Sequence, residues 1–126
     1  LRREDPRLRR RLKVAETIRK GLKDLPGLAE KNKTEEFFVG VFRLLQEQLG
    51  ERLNLPASAI TEAVLDERLQ SLGASEPLLS DLHELFQMCN LARYAPHRTS
   101  QELISLLPKV QSALRELQNL RDEKGA

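Results

Sequence analysis

The hydrophobic pattern is clearest between Thr34 and Leu55. Apolar side chains recur there every three or four residues, which is the spacing of one face of an α-helix. The stripe consists of Phe38, Val41, Phe42, Leu45, Leu49 and Leu53, and Phe37 and Leu44 widen it. A single neighbour cannot cover so broad a stripe. We therefore predict a central helix over 34–54, with Phe38 and Phe42 in the core and at least two other helices around it.

The start and the glycines of this helix carry further information. Asn32 or Thr34 is expected to cap its first free N–H groups. Gly40 and Gly50 lie inside it, and each costs about 1 kcal/mol relative to alanine. They indicate either the close approach of a neighbouring helix or a cost that nothing offsets.

A first helix is predicted over 6–24. Asp5 and Pro6 are a favourable start, and Pro26-Gly27 is expected to end the helix. Its apolar positions are expected to face the bundle, with the basic side chains pointing outward. These positions are Leu8, Leu12, Ala15, Ile18 and Leu22.

Three more helices follow, over 62–72, 76–94 and 100–122. Thr61 is expected to cap the first of them and Gly73 to end it in the left-handed conformation. The inward side of the second is expected to include Leu78, Leu79, Leu82, Leu85, Phe86, Cys89 and Leu91. Thr99 and Glu102 form the capping box T-x-x-E at the start of the third.

Composition agrees with an all-α, single-domain bundle of about five helices over residues 1–126. Hydrophobic residues make up 40% of the chain and charged residues 32%, a balance typical of folded proteins that are not embedded in lipid. The one cysteine, Cys89, cannot form an internal disulfide framework. The chain begins at Leu1 without methionine, so we expect a fragment of a longer protein.

Positive charge is concentrated in the N-terminal segment, residues 1–23. Residues 1–23 carry ten Lys or Arg against three acids, whereas residues 24–126 carry eleven against sixteen. This segment is either a solvated surface or a surface that lies against phosphate, of lipid or of nucleic acid. The candidate lipid-phosphate contacts are Arg2, Arg3, Arg7, Arg9, Arg10, Arg11 and Lys13.

No set of catalytic residues can be recognised. His83-Glu84 begins like the zinc motif H-E-x-x-H, but Gln87 stands where the second histidine would be. Cys89 lies six residues after His83, about 240° around a helix, so the two cannot form a nucleophile pair there. We interpret Cys89 as a small buried hydrophobe, and we expect no enzyme activity, metal, cofactor or small-molecule substrate.

The segment from Leu91 to Pro96 places an arginine, an aromatic residue and a proline at the end of a helix. It is either an ordinary helix C-terminus, where the positive charge of Arg93 interacts favourably with the negative end of the helix dipole, or a surface that binds a partner. The candidate partner-binding residues are Arg93, Tyr94, Pro96, His97 and Arg98.

Residues 35–96 resemble the cytoplasmic C-terminal domain of the bacterial aerotolerance (BatD) family. The resemblance consists of an aromatic-led helix, the turn Leu53-Asn54-Leu55-Pro56, the segment from Thr61 to Gly73, and the run from Cys89 to Pro96. It implies the cytoplasmic domain of a single-span protein at the bacterial inner membrane, with 1–23 next to the membrane. It also implies partners of the von Willebrand A type and the MoxR ATPase type. The family's pattern carries over no catalytic residue.

The sequence therefore predicts a non-catalytic protein–protein interaction module of a membrane-anchored protein. The alternative is a helical domain that binds nucleic acid through its basic first helix. Against that alternative, the rest of the chain is net acidic, and one tyrosine with no tryptophan provides no platform for stacking bases.

Overall fold

The computed structural model describes residues 5–92 and 98–120. Their regular structure is helical throughout, which confirms the all-α bundle of five helices. The helices are α1 (Pro6–Glu30), α2 (Thr34–Leu53), α3 (Glu62–Arg68), α4 (Glu76–Leu91) and α5 (Ser100–Gln118), with short 3₁₀ turns at Ala57–Ala59 and Gln70–Leu72. Within these described ranges no helix is both long and apolar enough to cross a membrane.

Helix α2 is the central element, as its broad apolar stripe predicts. It packs against α1, α4 and α5, and it buries Phe37, Phe38 and the leucines of the stripe. Phe38 is only 2% exposed. Phe42 lies at the edge of the core, half-buried, with its ring edge-to-face on that of Phe86 at 5.3 Å between centroids. The expectation of a core position is therefore confirmed for Phe38 and only partly met by Phe42.

Helix α1 does not end before Pro26, so the predicted boundary at residue 24 is wrong. The helix continues to Glu30 with Pro26 inside it. A proline inside a helix removes one backbone hydrogen bond and costs about 3 kcal/mol or more. Leu25 and Ala29 are completely buried on either side of it. Their packing is the stabilisation that offsets the proline.

The buried face of α1 also differs from the predicted one. Leu8 and Leu12 are 49% and 59% exposed, and Ala15 is exposed as well. The residues that enter the core are Val14, Ile18, Leu25 and Ala29. At 100° per residue, their stripe lies roughly 100° around the helix from the Leu8–Leu12 stripe. Both stripes have helical spacing, so periodicity could not choose between them.

The expected caps of α2 and α3 are absent. Asn32 adopts a left-handed conformation, and no side chain caps α2. Thr34 is buried, and its hydroxyl donates a weak hydrogen bond, at 3.5 Å, to the carbonyl of Arg98. Thr61 precedes α3 without a side-chain hydrogen bond to it. Packing of the residues that follow, rather than capping, fixes where these two helices begin.

Close approach explains Gly50 and Gly40, which confirms one of the two interpretations of these glycines. A Cβ at Gly50 would lie 2.7 Å from the carbonyl oxygen of Leu55 and 2.9 Å from Nη2 of Arg10 on α1. A Cβ at Gly40 would lie 3.2 Å from a methyl group of Leu25. The glycines of α2 therefore let α1 and the following loop come near its backbone.

α3 ends at Arg68, so the predicted helix over 62–72 is too long, and its last residues form the separate 3₁₀ turn Gln70–Leu72. The end of that turn and the starts of α4 and α5 follow the local signals. Gly73 has φ +88° after the 3₁₀ turn, and the Ser75 side chain caps α4. The capping box of Thr99 and Glu102 is complete. Leu91 is 59% exposed, so its predicted inward position is wrong. α5 ends at Gln118, so its predicted end at residue 122 is wrong. α4 ends at Leu91, and the last two residues predicted for it, 93 and 94, lie outside the described residues.

Candidate functional site

A groove of about 470 Å³ lies between α2 and the end of α4. Its apolar lining comes from Phe38, Val39 and Phe42 on α2 and from Cys89 and Ala92 at the end of α4. Val39 is 63% exposed although it stands beside the most buried part of α2. The groove thus exposes hydrophobic surface of the central helix to solvent.

The polar rim of this groove carries charges of opposite sign. Glu35 and Arg43, both exposed, contribute to it eight residues apart on α2, and Gln46 and Asn90 add amides. Eight residues of helix span about 12 Å. A segment bound in the groove would therefore meet an acid near one end and a base near the other.

Of the predicted partner-binding residues, Arg93, Tyr94, Pro96 and His97 lie outside the described residues. Arg98 is described, and its guanidinium lies 5.7 Å from the centre of the Phe38 ring. This is the distance of a cation–π contact. It places Arg98 next to the aromatic residue at the base of the groove.

Cys89 is suited to lining this groove rather than to reacting in it. Burial raises the pKa of its thiol to about 12. The thiolate is the nucleophilic form of cysteine, and a thiol with so high a pKa stays protonated at neutral pH. Within 5–92 and 98–120, no group of three or more histidine, cysteine or acidic side chains could hold a metal ion.

A second cluster, which the sequence analysis missed, joins α3 to α4. The two ring nitrogens of His83 lie 2.7 Å from Glu62 Oε2 and 2.8 Å from Asp66 Oδ1. Glu62 and Asp66 are four residues apart and so face the same side of α3. That spacing was visible in the sequence, but nothing there indicated that His83 would lie opposite.

The His83 cluster should make stability depend on pH. Its hydrogen bonds, first to Glu62 and then to Asp66, raise the pKa of His83 above the ordinary value of 6.5. The protonated ring can donate to both carboxylates, so its stabilisation is complete below pH 6.5. It is lost as the pH rises through the higher pKa of the folded state. Because Asp66 is mostly exposed, we expect at most about 1 kcal/mol.

Thermal melts of the parent and of His83→Gln over a pH series test this expectation. The difference in melting temperature should be largest below pH 6.5 and should shrink in alkaline buffer. Gln87→Ala, an exposed change one turn further along α4, is the control and should show no pH trend. A His83→Gln difference that is constant over the whole series would contradict the role of the protonated ring.

A third cluster buries a charged pair of α2, Glu51 and Arg52, against the end of α5. Arg52 is 1% exposed, and its Nε and Nη2 donate to the two carboxylate oxygens of Glu51 at 2.8 and 2.5 Å. Its Nη1 donates to the carbonyl of Leu120 at 3.0 Å, beyond the end of α5. Gln48 adds a hydrogen bond to Glu51. These contacts are internal to the fold, so we assign the cluster to stability rather than to binding.

Of the predicted lipid-phosphate residues, Arg2 and Arg3 lie outside the described residues. Of the other five, two are half-buried and three are exposed. Arg10 donates to the carbonyl of Leu55 at 2.6 Å and so helps to hold α1 on α2. Arg7 is half-buried. Arg9, Arg11 and Lys13 are exposed on α1, next to the exposed Leu8 and Leu12.

Comparison of the chain with protein-family models, with curated proteins and with solved structures gives no match. The resemblance to the BatD family therefore stays a prediction.

Proposed function

We propose that this protein is a non-catalytic interaction module that binds a protein partner in the groove between α2 and the end of α4. The observation that carries the proposal is the exposure of Val39, which lines the groove on a helix that is otherwise well packed. Exposed apolar surface surrounded by polar residues is characteristic of protein-binding sites. Aromatic rings at the base of the groove provide the kind of pocket in which binding energy concentrates.

The occupant that fits this groove is an amphipathic helix of the partner. Its apolar face would cover Val39 and Phe42, as in other helix-in-groove complexes. A basic residue near one end would meet Glu35, and an acidic residue near the other would meet Arg43. Charges at the rim mainly set orientation and association rate, whereas the apolar contacts supply most of the affinity.

The proposed setting follows the resemblance to the BatD family. In this setting the module belongs to a single-span protein and works at the cytoplasmic face of the bacterial inner membrane. Its partners are a von Willebrand A-type protein and a MoxR-type ATPase. A helical module without a recognisable set of catalytic residues is well suited to such assembly work.

Val39→Asp tests the groove directly. An aspartate would place a charge against the apolar face of the bound helix, so we expect at least a thirtyfold loss of affinity, or about 2 kcal/mol. Affinity is measured by surface plasmon resonance with the purified von Willebrand A-type domain and MoxR-type ATPase from the same genome. Ile104→Asp, at an exposed hydrophobic residue on α5, is the matched control and should bind like the parent.

Two outcomes would contradict the proposal. Equal binding by the parent and Val39→Asp would remove the groove as the docking surface. A parent protein that binds neither purified partner would show that the partner assignment is wrong. Circular dichroism melts of both variants confirm that any loss of binding is not a loss of folding.

A further inference from the structure

The exposed face of α2 carries an acid, a valine and a base at equal spacing. Glu35, Val39 and Arg43 follow one another at steps of four residues, so they form one ridge along the helix. All three side chains are exposed, and each charge lies about 6 Å from the valine along the helix axis. Within the described residues, neither Glu35 nor Arg43 forms an ion pair. We call these three residues the α2 ridge.

The α2 ridge is complementary to itself when one copy is turned end for end. An antiparallel copy places Arg43 opposite Glu35, Glu35 opposite Arg43, and Val39 opposite its own counterpart. A two-fold interface has this property, because the same surface serves on both sides and every contact occurs twice. A parallel copy would instead place like charges opposite each other. The order of the three residues thus favours one arrangement of two chains.

We propose that two copies of this chain associate through the α2 ridge, antiparallel and around a two-fold axis at Val39, and that this contact covers the groove until a partner displaces it. The regulatory part rests on the proposed function, which assigns the groove to an amphipathic helix with a base near one end and an acid near the other. Helix α2 of a second copy has that chemistry. All three ridge residues line the groove, so a second copy and a partner helix cannot occupy it together.

The contact is small, so the dimer is weak and reversible. One exposed valine from each copy supplies its apolar centre, and ion pairs at solvent-exposed positions contribute little each. Interfaces of limited area are typical of transient complexes. A weak dimer suits a groove that must open, because a partner with higher affinity for the single chain shifts the equilibrium toward it by mass action.

Charge reversal tests the antiparallel pairing. Glu35→Lys and Arg43→Glu each place like charges opposite each other at both ends of the contact, so each should weaken dimerisation about tenfold. An equimolar mixture of the two variants should recover parental association. In the mixed dimer the two introduced charges meet each other, and the native Arg43 of one chain meets the native Glu35 of the other. Sedimentation equilibrium measures all of these affinities.

Two charge reversals on other helices are the matched controls. Glu67→Lys on α3 and Arg115→Glu on α5 change the net charge by the same amounts at exposed positions. Both should dimerise like the parent, alone or mixed. Melting temperatures of all four variants should stay near the parental value, because the replaced side chains are exposed.

Disulfide cross-linking tests the position of the two-fold axis. Packed helices have axes about 8–10 Å apart, which brings facing Cα atoms to about 5 Å, within the range that a disulfide requires. The one native cysteine is first removed by Cys89→Ala. Val39→Cys in that background should then form a covalent dimer by exchange with oxidised glutathione. Ile104→Cys, at an exposed hydrophobic residue of α5, is the control and should form little.

The covalent dimer also tests whether self-association closes the groove. It should bind neither the purified von Willebrand A-type domain nor the MoxR-type ATPase in surface plasmon resonance, and reduction should restore binding. A covalent dimer that binds as tightly as its reduced form would overturn the masking of the groove. Failure of the reduced form to bind would contradict the proposed function but not the self-association, which sedimentation and cross-linking measure without any partner.

Two further results would overturn the self-association itself. One is a parent chain that stays monomeric up to about 1 mM, since a weaker contact would leave the groove open. The other is a mixture of Glu35→Lys and Arg43→Glu that associates no better than either variant alone. That result would exclude the antiparallel pairing of the α2 ridge.

Discussion

Replacing Phe38 with alanine is expected to lower the free energy of unfolding by about 3–5 kcal/mol. The side chain is almost completely buried, and its ring packs edge-to-face against Phe37 at 5.3 Å between centroids. It lies on α2, which contacts three other helices, so the cavity cannot close by the movement of one neighbour. For a domain of this size, such a loss corresponds to a melting temperature roughly 10–20 °C lower.

Two neighbours on α2 provide the controls for Phe38→Ala. Val39→Ala removes an exposed side chain and should change stability by no more than about 0.5 kcal/mol. Phe42→Ala should fall between them, because that ring is half-buried against Phe86. Urea unfolding and thermal melts measure all three. A Phe38→Ala variant as stable as the parent would contradict the central position of α2.

Arg52→Ala is expected to cost a similar amount, about 3–5 kcal/mol. The side chain of Glu51 is 8% exposed, and removing its partner would leave a carboxylate buried without a counter-charge. The carbonyl of Leu120 would also lose its donor, so α5 would be held less firmly to α2. Removing one partner of a buried pair is far more costly than an equivalent change at the surface.

A double variant distinguishes the stability lost through an unpaired buried charge from the stability lost through poorer packing. Glu51→Leu with Arg52→Met removes both charges and keeps most of the volume, so it should recover much of the stability lost in Arg52→Ala. Arg43→Ala, an exposed arginine on the same helix, should be nearly neutral. If the double variant is as unstable as Arg52→Ala, the loss is due to packing or to the Leu120 contact and not to a stranded carboxylate.

Local chemistry determined the number of helices and several of their ends. Ser75 caps α4, and Thr99 with Glu102 starts α5, because each motif joins groups only three residues apart. Gly73 ends its turn by its own backbone preference. The all-α class likewise follows from periodicity and propensity, which act within a few turns. These features could be predicted because no distant residue decides them.

The candidate site could be predicted only in part from the same local signals. The sequence directed attention to 93–98, and Arg98 does contact the ring of Phe38, which lines the groove. The groove itself depends on how α4 ends against α2, and Val39 was not singled out as exposed. Basic charge near the front of α1 was plain from composition, whereas the exposure of Leu8 and Leu12 was not. Exposure is a property of the packed bundle.

Tertiary structure alone decided which face of α1 is buried, how far that helix runs, and which polar side chains meet. Val14 and Leu8 belong to stripes of equal regularity, and contact with α2 and α5 chose the former. The burial of Leu25 and Ala29 stabilises α1 across Pro26, although the proline by itself favours the end of a helix. Arg52 meets a carbonyl 68 residues away, and His83 meets Glu62 across 21. Such contacts form only when helices distant in sequence pack together, and no periodicity or capping signal encodes that packing.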